Sequence, residues 1–299
     1  MSDRRHALVA ARRRLDHVVM PVPSLEEARR FFVGLGFTVA PNAAHPFGTE
    51  NACVFFQDGS YIEALAVGQR EVCEAEERLQ NPFVARDQAH RFRIGTPSFS
   101  GIALTTADAD GDRDAFKAAG FGMGETLEFR RPFAGTPSEL GFRLAFLTDR
   151  RSPDLFLFTC QPLHDSAPDR SALTRHTNGV VGIRRVVLGE PNPTDFQYLL
   201  QEATGDREME ASSFAMSLRL SSTSIEVATP AALALRYATA RDERRGLSFE
   251  GIVLSVRSLG VMETHLAAAS ARYVERDGRL VLWLTDGPSG FIAFEEDVA

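Results

Sequence analysis

The 299-residue chain has few of the residues that mark specialised protein classes. It holds three cysteines, Cys53, Cys73 and Cys160, with no CxxC pair and no even set. That excludes a disulfide scaffold and a zinc finger, and it suits a reducing, cytoplasmic setting. No stretch nears the roughly 20 apolar residues that cross a bilayer as a helix, so no membrane partner is expected. At the N-terminus the apolar run covers only Ala7 to Ala11. A secretory core needs about 7 to 15 such residues, so no signal peptide is expected. G-x-G-x-x-G, Walker and G-x-S-x-G motifs are missing, which leaves dinucleotide, NTP and serine-hydrolase chemistry without support. A net charge of -7 argues against a nucleic-acid partner. The one basic cluster, Arg4, Arg5, Arg12, Arg13 and Arg14, reads as a solvated N-terminal arm over residues 1–14. One Trp and four Tyr stand against 22 Phe, an excess that fits apolar walls and cores, not a base-stacking platform.

What is present is an ordinary globular composition, 44% hydrophobic and 24% charged, in a chain long enough for two domains. Its main signal is a repeat of pattern. LDHVVM, FSGIAL, IRRVVL and FEGIVL share one strand-like shape, and their third residues are His17, Gly101, Arg185 and Gly251, spaced by 84, 84 and 66 residues. A helix is expected after each. Ser24 and Glu27 form a capping box before Ala28, Phe31, Phe32 and Leu35, with Gly36 as the stop. The second helix carries Phe116 and Ala119, stopping at Gly120. The third is capped by Thr194 and carries Phe196, Leu199, Leu200 and Ala203 to Gly205. The fourth starts at Ser258 with Val261, Leu266 and Ala269. Each unit then closes in hairpin-like strands, with Asp-Gly turns at Asp58-Gly59 and Asp286-Gly287. The expected modules span 15–67, 99–161, 180–229 and 247–296. A helical linker over 68–98 reads as a surface helix followed by a loop, and a polar, proline-bearing stretch sets a domain boundary near 170.

Four βαβββ units opening with LDHVVM, and above all the segment HPFGTENACVFFQDGSYIEAL, resemble the vicinal oxygen chelate superfamily and its glyoxalase-like domain proteins. The resemblance implies an α+β fold in which modules pair into two cup-shaped mixed sheets, residues 15–170 and 171–299. It implies a small-molecule substrate or ligand and leaves a homodimer open. Fold alone does not choose among the lyases, isomerases, dioxygenases and sequestering proteins of this superfamily.

The family's metal ligands sit on the first and last strands of a module, which here offer His17 and Glu63. Strand alternation places Leu15, His17 and Val19 on one face, and Tyr61, Glu63 and Leu65 on one face. An imidazole and a carboxylate suit Zn, Mn, Ni or Fe, and a carboxylate in an apolar strand is costly unless paired or bound to a cation. Two ligands are fewer than a metal centre needs, so a third comes from His45, His164 or His176. Without a metal, His17 is a half-buried histidine bonded to Glu63. Glu63 is also the candidate base. Thr49 and Asn51 are candidates to hydrogen-bond a substrate, and Tyr61 to bind an oxyanion or simply to pack. Arg130, Arg131 and Phe133 fall in an expected loop over the cup, suited to an anionic substrate or to a plain surface role. In the second half Arg185 replaces the histidine, and with Glu226 it suggests an ion pair where the first half holds a site. The two histidines and glutamate of two-domain extradiol dioxygenases are missing there. Cys53 and Cys160 read as core residues, and His6, His90 and His265 as surface ones. The alternatives are a divalent-metal enzyme acting on adjacent oxygens, a metal-free protein sequestering a small ligand in the same cup, and a degenerate paralogue with structural cups.

Overall fold

A computed structural model of the chain describes residues 12–132, 139–163, 169–285 and 290–297. The first module runs β1 (Leu15–Pro21), α1 (Leu25–Gly34), β2 (Ala43–Ala44), β3 (Thr49–Phe55) and β4 (Tyr61–Val67), and is followed by α2 (Arg70–Arg78) and α3 (Pro82–Arg93). The second runs β5 (Gly101–Thr105), α4 (Ala109–Ala118), β6 (Leu127–Pro132), β7 (Glu139–Leu147) and β8 (Phe156–Pro162). The third has β9 (Val180–Gly189), a 3-10 turn leading into α5 (Gln197–Thr204), β10 (Met209–Ala211), β11 (Ala215–Arg219) and β12 (Ser224–Ala228), followed by α6 (Pro230–Tyr237). The fourth has β13 (Ser248–Val256), α7 (Leu259–Ala268), β14 (Tyr273–Arg276), β15 (Arg279–Trp283) and β16 (Phe291–Glu296). No described helix is long and apolar enough to cross a membrane.

The modules pair into two eight-stranded mixed sheets of identical order, β2-β3-β4-β1-β5-β8-β7-β6 and β10-β11-β12-β9-β13-β16-β15-β14. At each centre the opening strands of two modules run antiparallel, β1 with β5 and β9 with β13. Each opening strand also pairs parallel with the last strand of its own module. One face of each sheet buries its β-branched and aromatic residues in a single apolar core that runs through both domains. Phe99 and Phe249, at matching positions of the second and fourth modules, stack there with centroids 4.9 Å apart. The opposite faces are concave. The first is filled by phenylalanines together with Cys73 of α2 and Phe83 and Val84 of α3, the second by Ala232, Leu233 and Tyr237 of α6.

Local chemistry accounts for most elements. Ser24 accepts from the Glu27 N–H, Asp108 from the Gly111 N–H and Ser258 from the Val261 N–H, capping α1, α4 and α7. Several expectations need correction. Thr194 does not cap a helix but lies inside the 3-10 turn of Pro193–Phe196, where Pro193 starts the chain into α5. On α7 the buried residues are Met262 and Leu266, while Val261 faces solvent. The loop expected after α2 is a second helix, capped by Asn81 with Pro82 at its first position. Residues 230–237 carry the same signature, Thr229 and Pro230, and form α6, unassigned in the sequence reading. Arg12 and Arg13 are not free in solvent: they pair with Asp206 and Glu208, and with Asp112. Arg4, Arg5, His6 and the Asp286-Gly287 turn lie outside the described residues.

His90 is not a surface residue but is buried on the inner side of α3. Its Nε2 lies 2.8 Å from Ser98 Oγ, which itself donates to the Gly95 carbonyl, so the ring is the donor in this bond. Arg91 donates to the Val22 and Leu65 carbonyls and Arg86 to that of Leu155, so these polar contacts to backbone carbonyls join the packing of Phe83 and Val84 in holding α3 over its cup.

Two outcomes follow for stability. A Cβ at Gly251 would overlap the carbonyl and ring of Phe291, whereas at the matching Gly101 it would lie 3.2 Å from Val19. Gly251→Ala should therefore lower stability by about 1–3 kcal/mol and Gly101→Ala by less, as read by urea unfolding. Burial pushes the His90 pKa down to about 4. The unfolded chain, with its histidine near 6.5, then binds the proton more tightly. Stability should be full above pH 6.5 and fall as pH drops towards 4, with His90 contributing on the order of 3 kcal/mol. His90→Gln should show the smaller loss between urea titrations at pH 7 and pH 4.5.

Candidate functional site

The first cup is built from the middle of β1 upward. A register shift against β5 between Leu15 and His17 breaks the expected alternation. Leu15 therefore joins Val18 in the interdomain core, while His17 and Val19 face the cup; the expectation that all three of Leu15, His17 and Val19 share a face is corrected. Glu63 comes from β4, whose register sets it opposite Val19 and beside His17. Tyr61, two residues earlier on the same face, stacks on the His17 ring at 4.5 Å.

A third side chain arrives from the turn between β2 and β3. Gly48, at φ +91, closes this turn, and a Cβ there would press on the Gln69 carbonyl at 2.7 Å. Only glycine fits such a position. The turn is tied by His45 N–H to the Thr49 carbonyl at 2.8 Å. It folds His45 inward, stacked on Phe47.

Glu63 is buried at the centre of these groups. Its Oε2 lies 3.6 Å from His17 Nε2 and its Oε1 3.7 Å from His45 Nε2. Asn51 donates to Oε1 at 2.5 Å and approaches His45 Nε2 at 3.3 Å. The far nitrogens are also held: His17 Nδ1 is 2.7 Å from Asp16 Oδ2, and His45 Nδ1 is 2.9 Å from Thr49 Oγ1. An imidazole that gives its Nδ1 proton to an outer oxygen presents a lone pair at Nε2. Both Nε2 atoms face the same carboxylate. Burial holds the His45 pKa down at about 4, with Glu63 opposing that shift and Arg131 adding to it, so His45 is neutral at physiological pH. Burial, reinforced by Asp16, raises the Tyr61 pKa well above its ordinary value. The Cys53 thiol is pushed up to about 12 and that of Cys160 is also raised, which suits core residues, not nucleophiles.

The walls are Phe83, Phe129, Phe142 and Phe158 with Leu144 and Cys160, enclosing a cavity of about 30 Å³. Arg131 reaches into it too. The segment expected as a loop is the edge strand β6, and its alternation turns Phe129 and Arg131 inward while Arg130 stays exposed. Of the proposed third ligands only His45 is brought to Glu63. His176 Nδ1 accepts from the Thr38 N–H, and its Nε2 donates to the Phe55 carbonyl, which occupies both nitrogens in a structural joint. His164 and Phe133 lie outside the described residues. Thr49 and Asn51 both point at the histidine–carboxylate cluster. Asp16 was not among the candidates, because a neighbour of His17 should face away along a regular strand; the bulge brings its carboxylate back to the ring.

The second cup carries a different cluster at matching positions. Glu226 lies opposite Val187 as Glu63 lies opposite Val19. It is paired with Arg185 at 3.2 Å and with Arg236 of α6 at 2.6 Å, so the ion pair expected from sequence is present and is reinforced by a second arginine.

Whether the first cup suits a cation depends on its donors. Two imidazoles and a carboxylate are ligands a divalent ion accepts, and outer-nitrogen partners such as Asp16 and Thr49 are what orient metal-binding histidines. The donor chemistry therefore fits. Among the described residues, no group of three His, Cys, Asp or Glu side chains is gathered closely enough to hold an ion as it stands, because the two histidines address opposite oxygens of Glu63.

Comparison with known proteins agrees with this architecture. A hypothetical protein from Staphylococcus aureus superposes with a TM-score of 0.67 at 12% identity, covering 95% of this chain and all of that one. A variant of 4-hydroxymandelate synthase from Streptomyces coelicolor gives 0.62 at 12% identity over 96% and 93% of the two chains. The 2,3-dioxygenase LapB from Pseudomonas sp. KL28 gives 0.54 at 11% identity over 97% and 94%. At such identities the likeness is one of fold. No curated protein sequence matches the chain. The model of the glyoxalase-like domain matches residues 15–204, from the strand that carries His17 to the end of α5. On that match, which covers well over half of its length, the chain belongs to the glyoxalase-like domain family of the vicinal oxygen chelate superfamily.

Proposed function

We propose that the first cup is the functional site and that His17, Glu63 and His45 hold a divalent cation there, for an enzyme acting on a small substrate with adjacent oxygens. One observation carries this reading: the Nε2 atoms of two imidazoles face the two oxygens of one buried carboxylate, a set of groups that a proton or a cation among them would hold together. Zn, Mn, Ni and Fe all suit the donor set. Bound there, the ion would act as a Lewis acid towards the substrate oxygens. The chain's own residues do the rest. Asp16 and Thr49 fix the ring orientations. Tyr61, kept protonated, lines the cavity with its hydroxyl donating to Asp16 at 3.4 Å, and Asn51 donates towards oxygen on the Glu63 side. Glu63 is the group placed to take a proton from the substrate carbon, as lyase, isomerase or oxidoreductase chemistry of this fold requires. Three free, buried cysteines support a cytoplasmic setting.

A second reading is favoured by the short Asn51–Glu63 bond, which already satisfies one carboxylate oxygen. In that reading the cup binds a small ligand without metal, between phenylalanine walls.

Elemental mass spectrometry on untagged protein separates the two. Near-stoichiometric metal is expected in the parent after loading with Zn, Mn, Ni or Fe(II), and none in His17→Ala or Glu63→Ala. Asp16→Asn, which loosens the His17 ring without removing a ligand, should weaken metal affinity about 10- to 100-fold. A parent that takes up no metal under any loading supports the metal-free cup.

A further inference from the structure

Arg131 stands apart from the other cations that line the two cups. Arg185 and Arg236 in the second cup are both paired with Glu226. Arg131 has no carboxylate within ion-pair distance among the described residues. Its Nη1 makes one long contact, 3.5 Å, to the amide oxygen of Asn51, and its Nε is buried with no hydrogen-bond partner. The guanidinium also lies over the Phe142 ring, 5.8 Å from its centroid, which sets it against the cavity wall. A half-buried guanidinium with free donors is an uncompensated charge, and its planar fork matches a carboxylate.

Asn51 links Arg131 to Glu63: its oxygen faces the guanidinium and its nitrogen the carboxylate. The anion-binding group and the histidine–carboxylate cluster are thus one amide apart. A substrate with adjacent oxygens at the cluster can therefore present an anionic end to Arg131.

We infer that the cup takes a small carboxylic acid bearing a carbonyl or hydroxyl on the carbon next to the carboxylate, and that Arg131 is the residue that selects it. This rests on the reading of the first cup as the functional site. Arg131 is a specificity-determining residue, since it meets the carboxylate and not the reacting carbon.

The test is calorimetric titration of metal-loaded full-length protein with pyruvate, lactate and 3-phenyllactate, each beside its methyl ester. The parent should bind at least one acid about tenfold or more tightly than its ester. Arg131→Gln should abolish that preference while leaving ester affinity unchanged, and Arg131→Lys should keep part of it, because it retains the charge and loses the fork. Both variants should melt near the parent temperature, as Arg131 makes no ion pair among the described residues. Equal binding of acid and ester by the parent, a preference that survives in Arg131→Gln, or no binding of any acid would each overturn the inference. Metal content of the same samples keeps the two readings apart. Metal without acid preference removes the role of Arg131 and leaves the cation site, whereas acid preference without metal keeps Arg131 and removes the cation.

Discussion

A carboxylate in the middle of an eight-stranded sheet has to be neutralised or hydrogen-bonded, and Glu63 imposes that demand on everything around it. The answer is assembled from three places in the chain. His17 comes from the strand beside it, Asn51 from the strand across the hairpin and His45 from a turn that only a glycine can close. Each imidazole is then locked from behind, by Asp16 or by Thr49. Glu63 thus contacts three side chains, His17, His45 and Asn51, and through the two histidines is linked to Asp16 and Thr49.

The second cup shows what the same backbone does when the demand is met within the protein. Glu226 occupies the position of Glu63 and is closed off by two arginines, one on β9 and one on α6. Tyr237 packs beside them, and its hydroxyl accepts from Arg185. Removing one partner of such a buried set leaves a bare charge, so its members depend on one another and offer a ligand no free group. Helices that follow the third strand of the hairpin plug both cups, α3 in the first and α6 in the second. The difference between the halves lies in their polar residues, not in their architecture.

The fold was largely legible in the sequence because repeated strand patterns, capping serines and the Asp58-Gly59 turn act locally. The four-module order follows from LDHVVM, FSGIAL, IRRVVL and FEGIVL alone. Errors came where a local signal was overridden or too short to weigh. Thr194 had the right chemistry for a cap, but Pro193 began a tighter turn. Val261 and Met262 are neighbours, and only packing against the sheet decides which of them is buried. The site was half legible. His17 and Glu63 stand out as polar residues in apolar strands, and His45 was one of three candidates. Asp16 and the inward turn of Arg131 were not, since one depends on a bulge and the other on the phase of an edge strand, and neither has a sequence signature of its own.

The unsatisfied polar groups are unevenly distributed over the two halves. Among the described residues, the buried side-chain atoms without a hydrogen-bond partner belong to Arg13, Asp87, His90, Arg131 and Thr159. All five precede the second sheet. Native proteins leave few such atoms, and those they keep call for a physical reason. In the second domain the charges at the matching position, Glu226 with Arg185 and Arg236, are paired. In the first, Arg131 faces the cavity, while Asp87 and His90 are carried by α3, the helix that closes it. A fold whose two halves share one topology and one apolar core could have satisfied both equally. The half that did not is the one holding two histidines around a carboxylate, and incomplete internal pairing is the condition under which a cup retains free energy for binding something else.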